Sequence, residues 1–389
     1  MNNRQPFFTR DERRRCWSDR SRIDETDKNI GAGMTKYKDG NNGRETLQKA
    51  LTMTSNLRPR RPRRSVRGGN ISRRDVLCAT VCLGLISPLL AMSWQNAHAA
   101  SEAIKPLGVS EIAPGLFVHQ GRHELTSANN LGGISNAAFI IGEEAVAVID
   151  TGGSYRFGQS LRAAIKEKTD RPIRYVINTH MHPDHVLGNA AFKTDNPEFV
   201  AHYKMSRALA ARAENYLAAA KNLLGDAAFE GTEVILPTRS IQSLETIDLG
   251  GRQLSLDPQP TAHTDNDLLI LDERTQTLLL GDLLFVEHIP ALDGSILGWL
   301  QVIEKLRKVG AARAVPGHGP ASVSWPDSIA PEERYLQKVV TDIREIIASG
   351  GTLASATKTA GFSEKDAWQQ FDDYHARNVS AAFAELEWE

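Results

Sequence analysis

Cysteine is nearly absent from this chain. The 389 residues include three cysteines, Cys16, Cys78 and Cys82, and none follows residue 82. The region after residue 82 therefore has no internal disulfide, no cysteine nucleophile and no cysteine metal ligand. Thiolate zinc sites and papain-like catalysis are excluded for it.

Several familiar binding motifs are missing as well. The sequence shows no internal repeat, no phosphate-binding glycine loop, no nicotinamide fingerprint and no motif for reading nucleic-acid bases. These absences argue against nucleotide-dependent enzymes and against sequence-specific nucleic-acid binding.

Residues 1–75 carry net positive charge, and the rest of the chain carries net negative charge. Residues 1–75 contain 20 Lys and Arg against 9 Asp and Glu, whereas the whole chain has 46 against 47. The Arg-rich stretch at 58–64 lies in a polar region with little apolar periodicity, so we expect residues 1–70 to be disordered. A basic tail is able to bind nucleic acid. A true start at Met34 or Met53 explains the segment more simply, and we predict no nucleic-acid partner.

An export signal is predicted for residues 71–99. An Arg-Arg pair at 73–74 precedes an uncharged apolar run at 76–92, and a small-x-small sequence ends at Ala99. This order is typical of a secretory signal, and the paired arginines indicate the twin-arginine route. An uncleaved anchor is the alternative, although the run is short for a membrane span and contains Pro88. We expect cleavage after Ala99, a periplasmic protein and no stable membrane anchor.

The remaining sequence predicts an α/β domain at 100–326 and a helical extension at 327–389. Apolar runs at 137–141, 145–149 and 173–177 predict buried strands, and the amphipathic segment 155–168 predicts a strand–helix–strand unit. Further strands are expected at 115–119, 268–271, 277–280 (ending at Gly281-Asp282) and 312–315, and helices at 205–224, 298–309, 329–348, 364–374 and 379–388. We expect the extension to pack on the core or to form a wall of the substrate pocket, with Trp368, Tyr374 and Trp388 in the core.

The densest chemical motif follows the strand at 173–177. Thr179-His180-Met181-His182-Pro183-Asp184-His185 packs three imidazoles and one carboxylate into six residues. A strand that opens into such a turn can aim several ligands at one point, and these ligand types suit zinc, iron or manganese. A lone histidine is usually a packed or solvated residue, but this spacing predicts a metal site.

Downstream residues extend the motif into a family pattern. His180-x-His182-x-Asp184-His185, followed by His263, Asp282 and His318 in that order, resembles the metallo-β-lactamase superfamily over about 109–323. The resemblance implies a four-layer αβ/βα sandwich, in which two mixed sheets lie face to face with helices outside and metals at one sheet edge.

The resemblance also assigns roles to residues. It implies that His180, His182 and His263 hold one metal ion and that Asp184, His185 and His318 hold a second. Asp282 would bridge the two, and Asp150, after an early strand, would orient a ligand without binding metal. Two Zn²⁺ ions are expected, with Fe or Mn as alternatives. In this family a bridging hydroxide attacks the substrate, and Asp184 is placed to accept a proton.

Within the superfamily, Asp282 resembles the thioesterase, esterase and phosphodiesterase branches and disfavours β-lactam hydrolysis. We therefore predict a hydrolase of ester, thioester or related bonds in a small-molecule substrate. Persulfide dioxygenases keep the same ligands around a single iron and stay as an alternative, as does a non-catalytic, metal-dependent accessory role. His263-Thr264-Asp265-Asn266 departs from the usual His-Thr-x-Gly, and we expect Asp265 and Asp267 to shape this turn.

A narrower resemblance concerns one periplasmic group. The signal, His119-Gln-Gly, Gly281-Asp-Leu-Leu-Phe285 and the last eight residues are similar to the quinoprotein relay system zinc metallohydrolases. This resemblance implies quinoprotein or sulfur-oxidation system components as partners. Substrate-side candidates are His119 and His123, in a polar hairpin loop, and His288, six residues after Asp282.

Overall fold

Two mixed β-sheets pack face to face in the computed structural model, which describes residues 104–389. The seven-stranded sheet runs in the order β1 to β7. Its strands are β1 Ser110–Ala113, β2 Leu116–His119, β3 Ala137–Ile141, β4 Val146–Ile149, β5 Ile173–Ile177, β6 Glu198–His202 and β7 Arg239–Ile241. The six-stranded sheet has the order β13-β12-β11-β10-β9-β8. Its strands are β8 Glu245–Asp248, β9 Gln253–Pro258, β10 Leu268–Asp272, β11 Thr277–Phe285, β12 Arg313–His318 and β13 Val323–Ser324.

Seven α-helices accompany the sheets in the described part of the chain. They are α1 Tyr155–Lys168, α2 Pro183–Val186, α3 Met205–Phe229, α4 Ile296–Leu306, α5 Ala330–Ala348, α6 Leu353–Thr359 and α7 Phe371–Leu386. Short 3₁₀ segments lie at Asn189–Asp195, Asp327–Ile329 and Phe362–Ala367.

The predicted strand–helix–strand unit is confirmed as β4-α1-β5, and its two strands pair in parallel. The Ser154 side chain accepts a hydrogen bond from the Phe157 amide at 3.1 Å, which caps the first turn of α1. β5 also pairs in parallel with β6. Because parallel strands end at the same edge, the residues after β4 and β5 are brought side by side.

The main core lies between the two sheets. Apolar side chains of β2 to β6 meet those of β8 to β12 there, for example Ile140 and Ile177 against Leu256 and Ile270. Burying each such side chain contributes about 1.5–3 kcal/mol. A second cluster joins α1 to the outer face of the first sheet, and α4 packs Trp299 near Phe285 of β11. The expected order of layers, helix–sheet–sheet–helix, is confirmed.

A buried ion pair connects the two sheets. Arg252 donates to both oxygens of Asp272, at 3.1 and 2.6 Å, and to the carbonyls of Pro114 and Ile141 at 3.0 and 2.9 Å. Both side chains are almost fully buried. The guanidinium therefore links β9 and β10 to the first sheet with its charge fully paired.

The C-terminal extension differs in detail from the prediction. The helix expected at 364–374 is instead a 3₁₀ segment that ends before α7 begins at Phe371, and Gln370 between them has φ +57°. Trp368 is buried as expected. Trp388 is 84% exposed, so its assignment to the core was wrong. The domain boundary at residue 326 stays a prediction.

Within residues 104–389, no helix combines the length and hydropathy that crossing a bilayer requires. The predicted disordered tail at 1–70 and the predicted signal at 71–99 lie outside the described residues.

Candidate metal centre

The turn after β5 places its histidines on one side. Met181 is buried in an apolar cluster with α3 and β6, so its neighbours His180 and His182 project the other way. The short helix α2 then begins at Pro183, whose ring suits the first helical position. It carries Asp184 and His185 into the same region.

Four side chains form the first cluster, His180, His182, His263 and Asp282, with one ligand atom of each within 4.8 Å of the others. Nδ1 of His182 lies 3.1 Å from Nε2 of His180 and 3.0 Å from Nε2 of His263. Oδ2 of Asp282 lies 3.7 Å from His180 and 3.4 Å from His263. Three imidazole nitrogens and one carboxylate oxygen thus face a common point.

Asp184, His185 and His318 form the second cluster. Oδ2 of Asp184 lies 3.4 Å from Nε2 of His185 and 3.3 Å from Nε2 of His318. Asp282 adjoins this cluster too, because its Oδ1 is 3.1 Å from His185 and its Oδ2 is 3.6 Å from His318. The carboxylate of Asp282 therefore lies between the two clusters.

Glycine makes room for that carboxylate. A Cβ on Gly317 would lie 1.9 Å from Oδ1 of Asp282, and one on Gly281 would lie 2.4 Å from Oγ1 of Thr179. β11 does not end at Asp282 as predicted. It continues to Phe285, and its pairing with β12 is irregular on both sides of Gly281. Asp282 projects from this irregular part of the strand.

Asp150 holds the turn after β5. Its two oxygens accept hydrogen bonds from the amide and the hydroxyl of Thr179, at 2.8 and 2.7 Å, and Oδ2 also accepts from Nδ1 of His185 at 2.7 Å. The last bond leaves Nε2 of His185 facing the second cluster. Asp150 has φ +56°, a left-handed conformation that costs a non-glycine residue energy and that this bonding compensates.

Two further groups orient the first cluster, and the sequence analysis missed both. Nε2 of His182 is 3.0 Å from Oδ2 of Asp293, and Nδ1 of His263 is 2.6 Å from the carbonyl of Ala291. Each contact fixes which ring nitrogen faces the cluster. A carboxylate beyond the family motif was the one available sequence signal for Asp293, and it is too common to be informative.

The electrostatics of the two clusters differ. Burial, followed by the charge of His185, holds the pKa of His180 well below its ordinary value, and burial lowers the pKa of His263 to about 3. Burial acts in the same direction on His318, but Asp282 and Asp184 overcome it and raise its pKa to about 9. His180 and His263 of the first cluster are therefore neutral imidazoles, whereas the second cluster favours buried positive charge.

Two buried ligand atoms support a metal at this site. Nε2 of His185 and Oδ1 of Asp282 lie 3.1 Å apart, but neither atom makes a hydrogen bond of acceptable geometry with any described residue. A buried polar atom without a hydrogen-bond partner costs folding free energy, and coordination of a metal ion would satisfy both atoms. Imidazole and carboxylate ligands without sulfur fit zinc, iron or manganese.

The turn after His263 is shaped as expected by Asp267. Its carboxylate accepts from the amide and the hydroxyl of Thr264, at 2.9 and 2.6 Å. Asp265 accepts a hydrogen bond from the side chain of Asn266 within the same turn. These bonds close the turn without the glycine that many relatives have.

The three substrate-side candidates have different surroundings. His119 hydrogen-bonds the carbonyl of Gly108 and packs on Phe157, and within residues 104–389 it contacts neither cluster; its substrate-side role stays a prediction. His288 lies beside the site, with its ring 4.9 Å from that of His318. The His123 ring is 6.1 Å from that of His288, so His123 adjoins the site through His288.

Helices α3 and α7 border the site. Tyr374 of α7 has its ring 5.2 Å from that of His288, so it is half-buried at the site rather than in the core. Burial and the charges of Asp184 and Asp282 raise its pKa to about 12, so its hydroxyl stays a hydrogen-bond donor. Arg212 of α3 and Arg377 of α7 approach Asp293 at 3.9 and 3.5 Å.

The chain is similar to known proteins over the region that carries both clusters. The family model described as the metallo-beta-lactamase superfamily matches residues 131–318. No curated protein matches the chain. A solved metallo-beta-lactamase from Pontibacter korlensis is 22% identical and covers 59% of this chain and 99% of its own, with a TM-score of 0.48. The solved structure of TMB-1 is 21% identical over 60% of this chain and 99% of its own, with a TM-score of 0.46. A metallo beta lactamase from Hirschia baltica is 17% identical over 60% and 98%, also with a TM-score of 0.46.

Proposed function

Starting from the membership of residues 131–318 in the metallo-β-lactamase superfamily, we propose that this protein is a binuclear metallohydrolase. The observation that carries the proposal is the position of Asp282. One of its oxygens faces His185 and the other faces His180, His263 and His318. A shared carboxylate at this position suits two cations held close together.

The ligands divide as the two clusters do. His180, His182 and His263 would hold one ion, Asp184, His185 and His318 the other, and Asp282 would contact both. Zn²⁺ is our preferred ion for both positions, with Fe or Mn as alternatives. When bound, such ions lower the pKa of a water molecule toward about 7 and polarise the oxygen under attack.

The chain itself supplies orientation and proton acceptance. Asp150, Asp293 and the Ala291 carbonyl fix the imidazole rings. We assign proton transfer to Asp184, whose side chain is 16% exposed. Burial opposes its ionisation, but His185 and His318 lower its pKa to about 2. Asp184 is therefore ionised at neutral pH and holds a transferred proton only transiently.

For the substrate, we propose a small molecule with an ester, thioester or related bond. His288 lies against His318, and Tyr374, a neutral donor, lies against His288; both side chains would contact the reacting group or its neighbours. The presence of Asp282 supports this class over β-lactams, as the sequence analysis argued. We further propose a periplasmic location and an association with quinoprotein or sulfur-oxidation components, supported by the predicted signal at 71–99 and by the narrower resemblance.

Measurements of metal content and of hydrolytic activity together test this proposal. Purified wild-type protein should contain about two metal ions per chain and hydrolyse members of an ester and thioester panel. Asp282→Ala should lose the second ion and hydrolysis together, whereas Asp170→Ala, in an exposed loop, should lose neither. Absence of bound metal in the wild type would refute the proposal.

The same preparation separates the alternatives. One iron per chain with oxygen uptake on glutathione persulfide would identify a dioxygenase instead. A metal-loaded protein that is inert toward the whole panel would support an accessory role. Amino-terminal sequencing of the exported protein tests the location, and an intact segment at 71–99 would count against cleavage.

A further inference from the structure

The loop between β11 and α4, residues 286–295, carries several groups that border the metal centre. We refer to it as the orienting loop. Asp293 accepts from His182, the carbonyl of Ala291 accepts from His263, and the ring of His288 lies against that of His318. The orientation of two histidines of the first cluster therefore depends on where this short loop lies.

One side of the orienting loop rests on the turn that carries His263. The Asp293 amide donates to the carbonyl of His263 at 3.0 Å, and the Ser295 amide donates to the carbonyl of Ala262 at 2.9 Å. These bonds link the loop to a ligand-bearing segment. They do not by themselves fix the loop against the rest of the fold.

The other side of the loop is held by the C-terminal extension. Asn378 of α7 accepts from the Leu292 amide at 2.9 Å and donates to the carbonyl of Pro290 at 2.5 Å, and it is 2% exposed. Its neighbour Arg377 approaches the Asp293 carboxylate. Asn378 thus bonds the loop on both sides of Ala291, the residue whose carbonyl orients His263.

Contacts at both ends of the loop complete this support. Near its start, the Ile289 amide donates to the carbonyl of Gln369, and the Gln369 amide donates to the carbonyl of Glu287, at 3.1 and 2.7 Å. At its end, Glu385 of α7 accepts from the Ser295 hydroxyl at 2.6 Å and from the Ile296 amide at 2.8 Å. The extension therefore contacts the loop at its beginning, its middle and its end.

We propose that α7 is a positioning element of the metal centre and that Asn378 is its principal positioning residue. By holding 290–292 in place, Asn378 keeps the Ala291 carbonyl and the Asp293 carboxylate where they orient His263 and His182. This inference rests on the proposed function for the assignment of the first cluster as a metal site. It adds that a segment beyond the superfamily match determines how well that site binds.

The test compares two variants of α7. Asn378→Ala removes both bonds to the orienting loop. Val379→Ala, at the next position, creates a small cavity in the core, and Val379 is fully buried. Each full-length protein is loaded with Co²⁺, and three quantities are measured: the absorption spectrum of the ion, its affinity at each site by chelator competition, and the stability of the metal-free chain.

Asn378→Ala should weaken binding at the first site by about 10- to 100-fold and change its Co²⁺ spectrum, the range typical of lost partners behind metal ligands. Val379→Ala should leave the affinity and the spectrum unchanged despite its own loss of stability. If both variants lose affinity in proportion to stability, or if Asn378→Ala binds like the wild type, the inference is wrong. Wild-type protein that binds no Co²⁺ would instead refute the proposed function.

A milder variant covers the case in which Asn378→Ala does not fold. Asn378→Ser adds no charge at this buried position and keeps a hydroxyl, which can replace at most one of the two bonds to Leu292 and Pro290. It should show a smaller loss of affinity at the first site, with the second site unaffected. Wild-type affinity at the first site in this variant would overturn the positioning role.

Discussion

Gly317→Ala is the sharpest perturbation that the metal centre offers. The added Cβ would lie 1.9 Å from Oδ1 of Asp282 and 2.7 Å from the carbonyl carbon of Gly281. Gly317 does not have a positive φ, so the substitution brings a steric conflict and no backbone strain of its own. Its carbonyl also accepts from the Asn136 amide at 2.7 Å, which limits how far β12 can move.

The size of the effect follows from the displacement. Relieving the overlap requires Asp282 to move by more than about 1 Å, and a misplacement of that size in an active site can cost about 100-fold in rate. Loss of the shared carboxylate should weaken the second metal site by at least about 100-fold, or about 2.7 kcal/mol. Hydrolysis should fall with it.

Gly310→Ala is the matched control, because a Cβ at Gly310 meets no atom within 4 Å. Metal content per chain, chelator competition and kcat/KM are measured for wild type and both variants, with circular dichroism to verify folding. A Gly317→Ala protein that folds and retains two tightly bound ions would refute our account of Asp282.

Three further perturbations have defined outcomes. Asp293→Ala should weaken the first metal site by about 10- to 100-fold, because His182 loses its acceptor; chelator competition measures this, and an unchanged affinity would contradict it. Burial raises the pKa of Glu332 well above 4.5, so the stability it contributes is complete below that value and is lost as pH rises toward its folded pKa. Glu332→Gln should therefore flatten the pH dependence of the free energy of urea unfolding above about pH 5, by up to about 1.4 kcal/mol per pH unit, and equal slopes in both proteins would refute it. Arg252→Met should lower the free energy of unfolding by about 3–5 kcal/mol because Asp272 stays buried and unpaired, and adding Asp272→Leu should recover much of the loss in the same assay.

The sequence predicted best those parts of the fold that rest on continuous apolar runs. β3 and β5 have the predicted bounds, because strands covered on both faces need apolar residues throughout. The end of β11 was placed too early. Gly281 and Asp282 look like a strand end, but Leu283 to Phe285 are buried and keep the backbone extended. The local pattern of apolar residues indicates which residues are buried. It does not indicate whether a strand continues past an irregularity in its pairing.

The residues of the candidate site that belong to the sequence motif were predictable. The side chains that the structure brings together are those whose types and order suggested metal binding. The groups behind them were not predictable in this way. Asp293 lies 111 positions from His182 in sequence, and Ala291 contributes a backbone carbonyl that any residue would supply. The ring of His119 packs on Phe157 and bonds the Gly108 carbonyl, and its substrate-side role stays a prediction.

The residues around the two clusters come from different parts of the chain, and those outside the family match distinguish this site. The family match ends at His318, which is also the last residue of the two clusters. Yet Tyr374, which packs on His288, and Asn378, which holds the orienting loop, both belong to α7. A ligand set shared with a large superfamily sets the chemistry that is available, because any hydrolase with it can activate water. The groups that orient His182 and His263, and those that we propose to contact substrate, lie on the orienting loop and α7, so substrate preference should change with these segments while the clusters stay the same.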